Sequence, residues 1–353
     1  MNIAIILGTR PEIIKMSPII RALERENSDF FILHTGQHYS YNMDQVFFEQ
    51  LKLPQPKYNL KVGSGTHAEE TGKMMIGIER VLMKERPDIV LVEGDTNTVV
   101  AGALASVKIG IPVGHVEAGC RSFDRSMPEE INRIVTDHIS ELLFAPTETA
   151  RRNLIKEGIS EDKIFMTGST IVDAVYQNLS LTEVLNPPLH DDYFLVTVHR
   201  QENVDNPSRF KGIIEGLRLV RKYFDIPVVY PVHPRARRRI EEYGIDTENL
   251  ELIDPLDYLS FLKAESRAKL IFTDSGGVQK EACILKVPCI TLRDNTEWPE
   301  TLEVGANVLA GTDPRKILEK AELMINSKRS WHNPFGDGKA GEKIVNIVLK
   351  KNY

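Results

Sequence analysis

Short apolar runs recur along the chain, and stretches with one polar face separate them. Ile3–Leu7, Phe30–His34, Ile89–Glu93, Val113–Glu117, Leu142–Ala145 and Ile164–Thr167 are each four or five residues long and mostly β-branched or aromatic. That length and composition predict buried strands. Between them, Glu12–Leu23, Thr98–Lys108 and Glu129–Ser140 carry apolar residues at helical spacing. Strands alternating with helices imply a parallel sheet covered on both faces.

The alternation stops at residues 178–192, which hold Pro187-Pro188 and no core-like strand, so this stretch reads as a link between domains. It then restarts with Phe194–Val198, Val228–Val232, Leu250–Ile253, Leu270–Thr273 and Cys289–Leu292. A last helix, about Ala340–Lys351, follows the Gly336-Asp337-Gly338 turn. The pattern predicts an α/β protein of two Rossmann-like, doubly wound domains, 1–176 and 177–339, facing a cleft. A chain of 353 residues suits two such cores better than one. Ligands of open parallel sheets bind beyond the carboxyl ends of the strands, so the residues that follow each strand carry the information.

Composition narrows the classes. With 42% hydrophobic and 27% charged residues the chain is ordinary globular protein. Its 44 Lys and Arg against 50 Asp and Glu give a formal net charge of −6, which argues against a nucleic-acid partner. Cys120, Cys283 and Cys289 lack the spacing of a zinc site or a disulfide framework. The apolar run Ile3–Leu7 is too short for a signal sequence, and no stretch reaches the roughly 18 apolar residues of a membrane span. A cytoplasmic location follows as the expectation, with no membrane partner.

Several strand ends carry chemistry. After the first come Gly8, Arg10, Pro11 and Lys15; Pro11 suits the first helical position, and two cations near a helix start need a reason beyond solvation, such as an anion. Pro18, within the same helical pattern, cannot donate to residue 14. Asp95 follows Gly94 at the turn into the next helix, as cap or as catalyst. Glu117 ends a buried strand, where it has no local capping role. Glu129 fits a capping box begun by Ser126, but shares its domain with Asp95 and Glu117. Converging carboxylates raise one another's pKa and so supply acids and bases.

In the second domain, Ser275-Gly276-Gly277 joins a strand to a helix, a setting in which bare amides hold phosphate, with Glu281 further along for ribose hydroxyls. His199, Arg200 and His233 also follow strands. No His, Asp and Glu set has metal spacing, and the Gly-x-Gly-x-x-Gly dinucleotide fingerprint is missing.

Together these residues resemble the non-hydrolysing UDP-N-acetylglucosamine 2-epimerases. The matching pieces are Gly8-Thr9-Arg10-Pro11-Glu12-x-x-Lys15, Gly94-Asp95-Thr96, Gly114-His115-Val116-Glu117-Ala118-Gly119, Pro128-Glu129-Glu130-x-Asn132-Arg133 and Pro146-Thr147-Glu148-Thr149. Further on, Tyr230-Pro231-Val232-His233-Pro234, Thr273-Asp274-Ser275-Gly276-Gly277-x-Gln279-x-Glu281-Ala282 and Asn333-Pro334-x-Gly336-Asp337-Gly338 complete the set.

The resemblance implies the two-lobed GT-B-type fold of glycosyltransferases and epimerases, with the final helix, 340–353, packing back on the first lobe. It implies a homodimer that needs no cofactor. UDP would lie in the second lobe on Ser275, Gly276, Gly277 and Glu281, with Phe261 stacked on uracil and Arg10 and Lys15 reaching the ligand. Asp95, Glu117, Glu129 and His199 would carry the reaction, an elimination of UDP from C1 and C2 of the sugar followed by re-addition. The product, UDP-N-acetylmannosamine, would feed surface polysaccharide or glycan synthesis. Gln37, Gln45, Arg200 and His233 match positions where some relatives bind UDP-GlcNAc as an activator. The chain departs from the family at Trp298, where Arg is frequent, at Lys280, where Glu is frequent, and at Cys120 and Ser122, where Leu and Thr are usual. A hydrolysing epimerase, a glycosyltransferase and a nucleotide-sugar sensor are the alternatives. Product analysis, UDP-ManNAc or free sugar, separates the first. The second would require an acceptor, for which no signature is readable, and Asp95, Glu117, Glu129 and His199 together speak against the third.

Overall fold

A strand whose side chains are apolar on both faces can sit only in the middle of a sheet covered twice. In the structure, a computed structural model that describes residues 1–36, 41–185, 187 and 189–351, Ile3 to Leu7 occupy that place and are fully buried. The first sheet contains β1 (Asn2–Leu7), β2 (Asp29–His34), β3 (Tyr58–Asn59), β4 (Ile89–Glu93), β5 (Val113–Val116), β6 (Leu142–Ala145) and β7 (Ile164–Met166). Its order is β3-β2-β1-β4-β5-β6-β7. Ile3 pairs with Phe30 on one side and Ile89 on the other, both in parallel.

The second sheet contains β8 (Phe194–Thr197), β9 (Val228–Pro231), β10 (Glu251–Ile253), β11 (Leu270–Thr273), β12 (Cys289–Thr291) and β13 (Asn307–Leu309), in the order β10-β9-β8-β11-β12-β13. All its pairings are parallel. Two Rossmann-like folds are thus present, as the alternation predicts. In each sheet the chain runs out to one edge and returns to start the other side. The reversal falls between β1 and β4 in the first sheet and between β8 and β11 in the second. Helices leave such a point in opposite directions and open a crevice there.

The edge strands β3 and β13 are absent from the sequence reading. They are two and three residues long and mostly half-buried, so they give no apolar run. The helix Thr170–Leu181 also runs further than expected, into the predicted link.

Contacts divide the chain into two compact units. One holds Met1–Gln177 and the chain from Phe335 onward, the other Asn178–Pro334. Each has its own core. Ile6, Leu33, Ile78, Val90, Val92 and Val99 meet on one face of the first sheet. Phe194, Val196, Phe210, Leu217, Tyr230 and Phe272 do so in the second. Truncating one of these to Ala costs about 2–5 kcal/mol.

The helix Ala340–Lys350 joins the first unit through small residues. A Cβ on Gly341 would lie 2.8 Å from the Pro18 backbone, so only glycine allows this approach to the helix Arg10–Arg25. Asp173 caps it by accepting from the amides of Ala340, at 3.1 Å, and Gly341, at 2.9 Å. Pro18 leaves the Ile14 carbonyl without its helical partner, and the Ser17 hydroxyl donates to it at 2.8 Å. Among the described residues no helix is long and apolar enough to cross a membrane.

Candidate active site

The turn after β1 is fixed by a capping box. Thr9 is the N-cap of the helix Arg10–Arg25, and Glu12 turns back to accept from the amides of Gly8, at 2.5 Å, and Thr9, at 2.9 Å. Pro11 is therefore the second helical residue, not the first. The Thr96 hydroxyl donates to the other Glu12 oxygen, which ties the β1 turn to the β4 turn. Burial pushes the Glu12 pKa up to about 7, although these hydrogen bonds act the other way. Arg10 lies over the Phe47 ring, 6.0 Å from its centre.

One turn further along, Lys15 reaches the switch point. Its Nζ is 2.8 Å from Oε1 of Glu93 and 2.9 Å from Oε1 of Glu117. Burial works against the lysine's charge, yet Glu117, Glu93 and Asp95 together hold its pKa well above the ordinary range. Glu93, the last residue of β4, is 1% exposed, and burial pushes its pKa up to about 8 against the pull of Lys15. Glu117 follows β5 with φ +67, a left-handed conformation that an ordinary side chain adopts at a cost of about 1–3 kcal/mol. Such strain recurs where function fixes a side chain's direction.

Asp95 is not the cap of its helix; Thr96 is. Its carboxylate pairs with Arg133 at 2.5 Å and its carbonyl accepts from Asn132 at 2.9 Å. The capping box expected at Ser126 does not form either. Met127 is the N-cap of the helix Pro128–Ile139, and Ser126 bonds to Asp124. Glu129 is left exposed in the first turn. Its neighbour Glu130 is buried, accepting from the amides of Ser122 and Phe123 and pairing with Arg133 at 2.9 Å. The structure thus links Asp95 and Glu117 to one network of charge, and Glu129 stands on the helix that supplies Arg133.

A second buried layer supports the turns. His115 places Nδ1 2.6 Å from Asp137 and Nε2 2.8 Å from the Gly94 carbonyl, so both ring nitrogens face acceptors. Asp137 also pairs with Arg121 at 2.7 Å and accepts from the Gly119 amide at 3.1 Å. Burial opposes the Asp137 charge, but His115 and Arg121 hold its pKa below the usual range. This layer locks Gly94 beside Asp95 and Gly119 beside Glu117.

Glu12, Glu93 and the His115–Asp137–Arg121 triad were missed from the sequence. A signal existed for Glu93, since a carboxylate ending a buried strand is the same oddity that singled out Glu117.

The second unit's switch point is built differently. Ser275 is the N-cap of the helix Gly276–Leu285, with its hydroxyl 3.5 Å from the Val278 amide. Asp274, fully buried, accepts from the amides of His199 and Arg200 and from Asn203, which fixes the loop after β8. His199 has half its side chain exposed, with Nδ1 3.3 Å from Asp274. Burial of its inner edge lowers its pKa, and the Asp274 charge offsets this in part. Glu281, in the second turn of the helix, is buried and its pKa is raised by that burial to about 7. Phe261 is partly buried against the core of its unit.

The two departures at 280 and 298 meet. The buried Lys280 ammonium stands 3.7 Å above the centre of the Trp298 ring. The indole in turn lies on the glycine turn: a Cβ on Gly276 would be 3.0 Å from Trp298 Nε1. Thr296 holds the loop to the helix, donating to Gln279 at 2.5 Å and accepting from the Trp298 amide at 3.1 Å. A cation thus stands behind the Trp298 indole, which itself lies against the glycine turn.

Of the remaining sequence candidates, Arg200 pairs with Glu297 at 3.3 Å. His233 caps the helix Pro234–Glu242 by accepting from the Arg235 amide at 3.3 Å. Gln45 bonds to Glu49 on the surface of the helix Tyr41–Gln50. Gln37 lies outside the described residues.

Comparison with known proteins gives a uniform result. Residues 21–349 match the family model described as UDP-N-acetylglucosamine 2-epimerase. A UDP-N-acetylglucosamine 2-epimerase of Methanocaldococcus jannaschii is 58% identical, over 100% of both chains. A crystal structure of the M. jannaschii UDP-GlcNAc 2-epimerase, in complex with UDP-GlcNAc and UDP, covers 99% of this chain and 100% of its own at a TM-score of 0.89. The UDP-2,3-diacetamido-2,3-dideoxy-D-glucuronate 2-epimerase of Pseudomonas aeruginosa is 43% identical over 99% of this chain and 100% of its own.

Proposed function

The chain belongs to the UDP-N-acetylglucosamine 2-epimerase family and is an isomerase, and we propose that it interconverts UDP-GlcNAc and UDP-ManNAc by elimination and re-addition of UDP. The observation that carries this reading is the Lys15 ammonium held between Glu93 and Glu117 at the first unit's switch point. The C2 hydrogen of an N-acetylhexosamine is not acidic, because no carbonyl adjoins C2. A base can remove it only as the C1–O bond to UDP breaks, leaving 2-acetamidoglucal. UDP then adds back at C1 while a proton returns to the other face of C2. The route needs a proton-handling group on each face and stabilisation of the leaving diphosphate.

Asp95, Glu117 and Glu129 supply the proton transfers, each from a turn or helix start at the edge of the first sheet. Glu117 is best placed as a base, since its Oε1 faces the Lys15 ammonium at 2.9 Å and its strained backbone fixes its direction. The second unit supplies UDP binding. The free amides of Gly276 and Gly277 and the Ser275 hydroxyl take phosphate, Glu281 takes ribose, Phe261 stacks on uracil, and His199 assists the departing diphosphate. Arg10 adds a cation to the same ligand. The protein acts as a homodimer without a cofactor in the cytoplasm, and its product feeds surface polysaccharide or glycan synthesis. UDP-GlcNAc also acts as an activator through Gln37, Gln45, Arg200 and His233, a role that sigmoidal rates from UDP-ManNAc alone would reveal.

Incubation with UDP-GlcNAc in deuterated water tests the core reading. UDP-ManNAc carrying deuterium at C2 is the expected product by NMR. Free ManNAc would identify a hydrolysing enzyme, and epimerisation without deuterium would exclude this elimination.

A further inference from the structure

The chemistry above leaves one buried carboxylate unused. Glu93 ends β4 at 1% exposure, in register with Val116 of β5 and therefore one residue from Glu117. Lys15 Nζ bridges the two glutamates at 2.8 and 2.9 Å. Lys15 hydrogen-bonds Glu117 and stands as close to Glu93 Oε1, where its hydrogen bond and charge oppose the effect of burial on Glu93. An ammonium in a low-dielectric setting balances one carboxylate, not two. The other charged groups around the trio add to this excess. Glu12 approaches from the helix Arg10–Arg25, and Asp95, paired with Arg133 of the helix Pro128–Ile139, from the turn after β4. The trio is therefore balanced when it holds one extra proton.

Inversion by elimination creates a need for such a store. A proton is taken on one face and returned on the other, so each turnover leaves the base protonated. We infer that Glu93, acting through Lys15, clears that proton from Glu117 between turnovers. Lys15 gives one N–H proton to the Glu93 carboxylate as it takes the O–H proton that Glu117 removed from C2. Glu117 ends as a carboxylate, Lys15 remains an ammonium, Glu93 ends as an acid, and the number of protons is unchanged. The same path in reverse returns the proton to Glu117 when the reaction runs the other way. The group on the opposite face exchanges with solvent. Once the ligand has left, Lys15, whose side chain is 18% exposed, gives an N–H proton to water as it takes the proton of Glu93, so the store is empty again for the next turnover. Burial supports the store, since it pushes the Glu93 pKa up to about 8. The inference rests on Glu117 being an acid–base group.

Glu93→Gln in the full-length enzyme tests it. The amide keeps the shape but cannot take the proton. With enzyme in excess over C2-deuterated UDP-GlcNAc, cleavage of the C2–D bond in a single turnover should match the wild type. Steady-state kcat should fall by roughly 10²-fold, the low end for a general acid–base group, with KM unchanged. The kcat limb near pH 8 should disappear. Glu93→Asp, shorter but ionisable, should retain that limb. A wild-type steady-state rate and pH profile in Glu93→Gln would overturn the inference. So would an equal loss in the single turnover, which would make Glu93 only a support for Lys15. Glu117→Gln is the control: if it cleaves the C2–D bond normally, the acid–base reading fails, whatever Glu93→Gln does.

Discussion

The two switch points share a topology and differ in what is buried there. The first unit encloses ions. Glu12, Lys15, Glu93, Glu117, Arg121 and Asp137 are mostly or wholly buried, and Lys15 and Arg121 each pair with the carboxylates beside them. The second unit encloses acids in another way: Asp274 is fully buried and held by the amides of His199 and Arg200, and Glu281 and Glu265 are also buried. The glycine turn and helix start proposed above to take phosphate have one cation, Lys280, placed behind an indole. Proton transfer needs groups whose pKa values lie near the working pH, which only burial and neighbouring charge can arrange. Diphosphate binding needs fixed dipoles, which a helix start supplies with no charge at all. The comparison predicts that single changes in the first unit abolish turnover or stability, while those in the second grade affinity.

The largest expected effect is on chemistry. Glu117→Gln should lower kcat by roughly 10²–10⁴-fold, the range of general acid–base catalysis. UDP affinity, read by calorimetry, should stay at the wild-type level. A parallel loss of affinity would blur the division between the units.

The next effect is on stability. Asp137 satisfies His115, Arg121 and the Gly119 amide, all buried. Asp137→Asn removes a charge and leaves Arg121 without one of its anions. Breaking a buried ion pair costs about 3–5 kcal/mol, so Tm should drop by several degrees. An unchanged Tm would mean that the ionic layer under the first switch point is replaceable.

A smaller effect tests the second unit. Lys280→Met and Trp298→Leu should each weaken UDP binding, and the double variant should lose less than their sum. A buried cation on an indole face is worth about 1–2 kcal/mol, and the cycle should return a coupling of that order. Additive losses would show that the two residues act separately.

Much of this was legible in the sequence, for a physical reason. Central strands of a doubly covered sheet must be apolar on both faces, so Ile3–Leu7 and Leu270–Thr273 announce themselves, and the site follows them directly. Lys15, Asp95 and Glu117 become candidates that way. The edge strands Tyr58–Asn59 and Asn307–Leu309 stay hidden, since an edge needs no apolar run. Glu12 and Glu93 were passed over because their meaning lies in Thr96 and Lys15, far away in the chain. The contact of Lys280 with Trp298 was also invisible. Read one at a time, the two residues are departures from a family pattern; in the structure they are one cation–indole pair.

The smallest effect is a pH dependence, and it bears on Glu281 in the second unit. Burial raises the Glu281 pKa to about 7, above its unfolded value of about 4.5. The sign for stability follows. The protonated form is favoured on folding, so this contribution is fully present below about 4.5 and is lost as pH rises towards 7. Binding has the opposite sign. Ribose hydroxyls donate hydrogen bonds, which a carboxylate accepts better than an acid does. UDP affinity should therefore rise, by less than about tenfold, as pH passes through 7, with proton release detectable in buffers of different ionisation enthalpy. Glu281→Gln should bind more weakly and lose the dependence. A dependence that survives the substitution would move the titrating group to Glu265. That carboxylate is fully buried, and its pKa is held well above the ordinary range by burial and by the charge of Glu281.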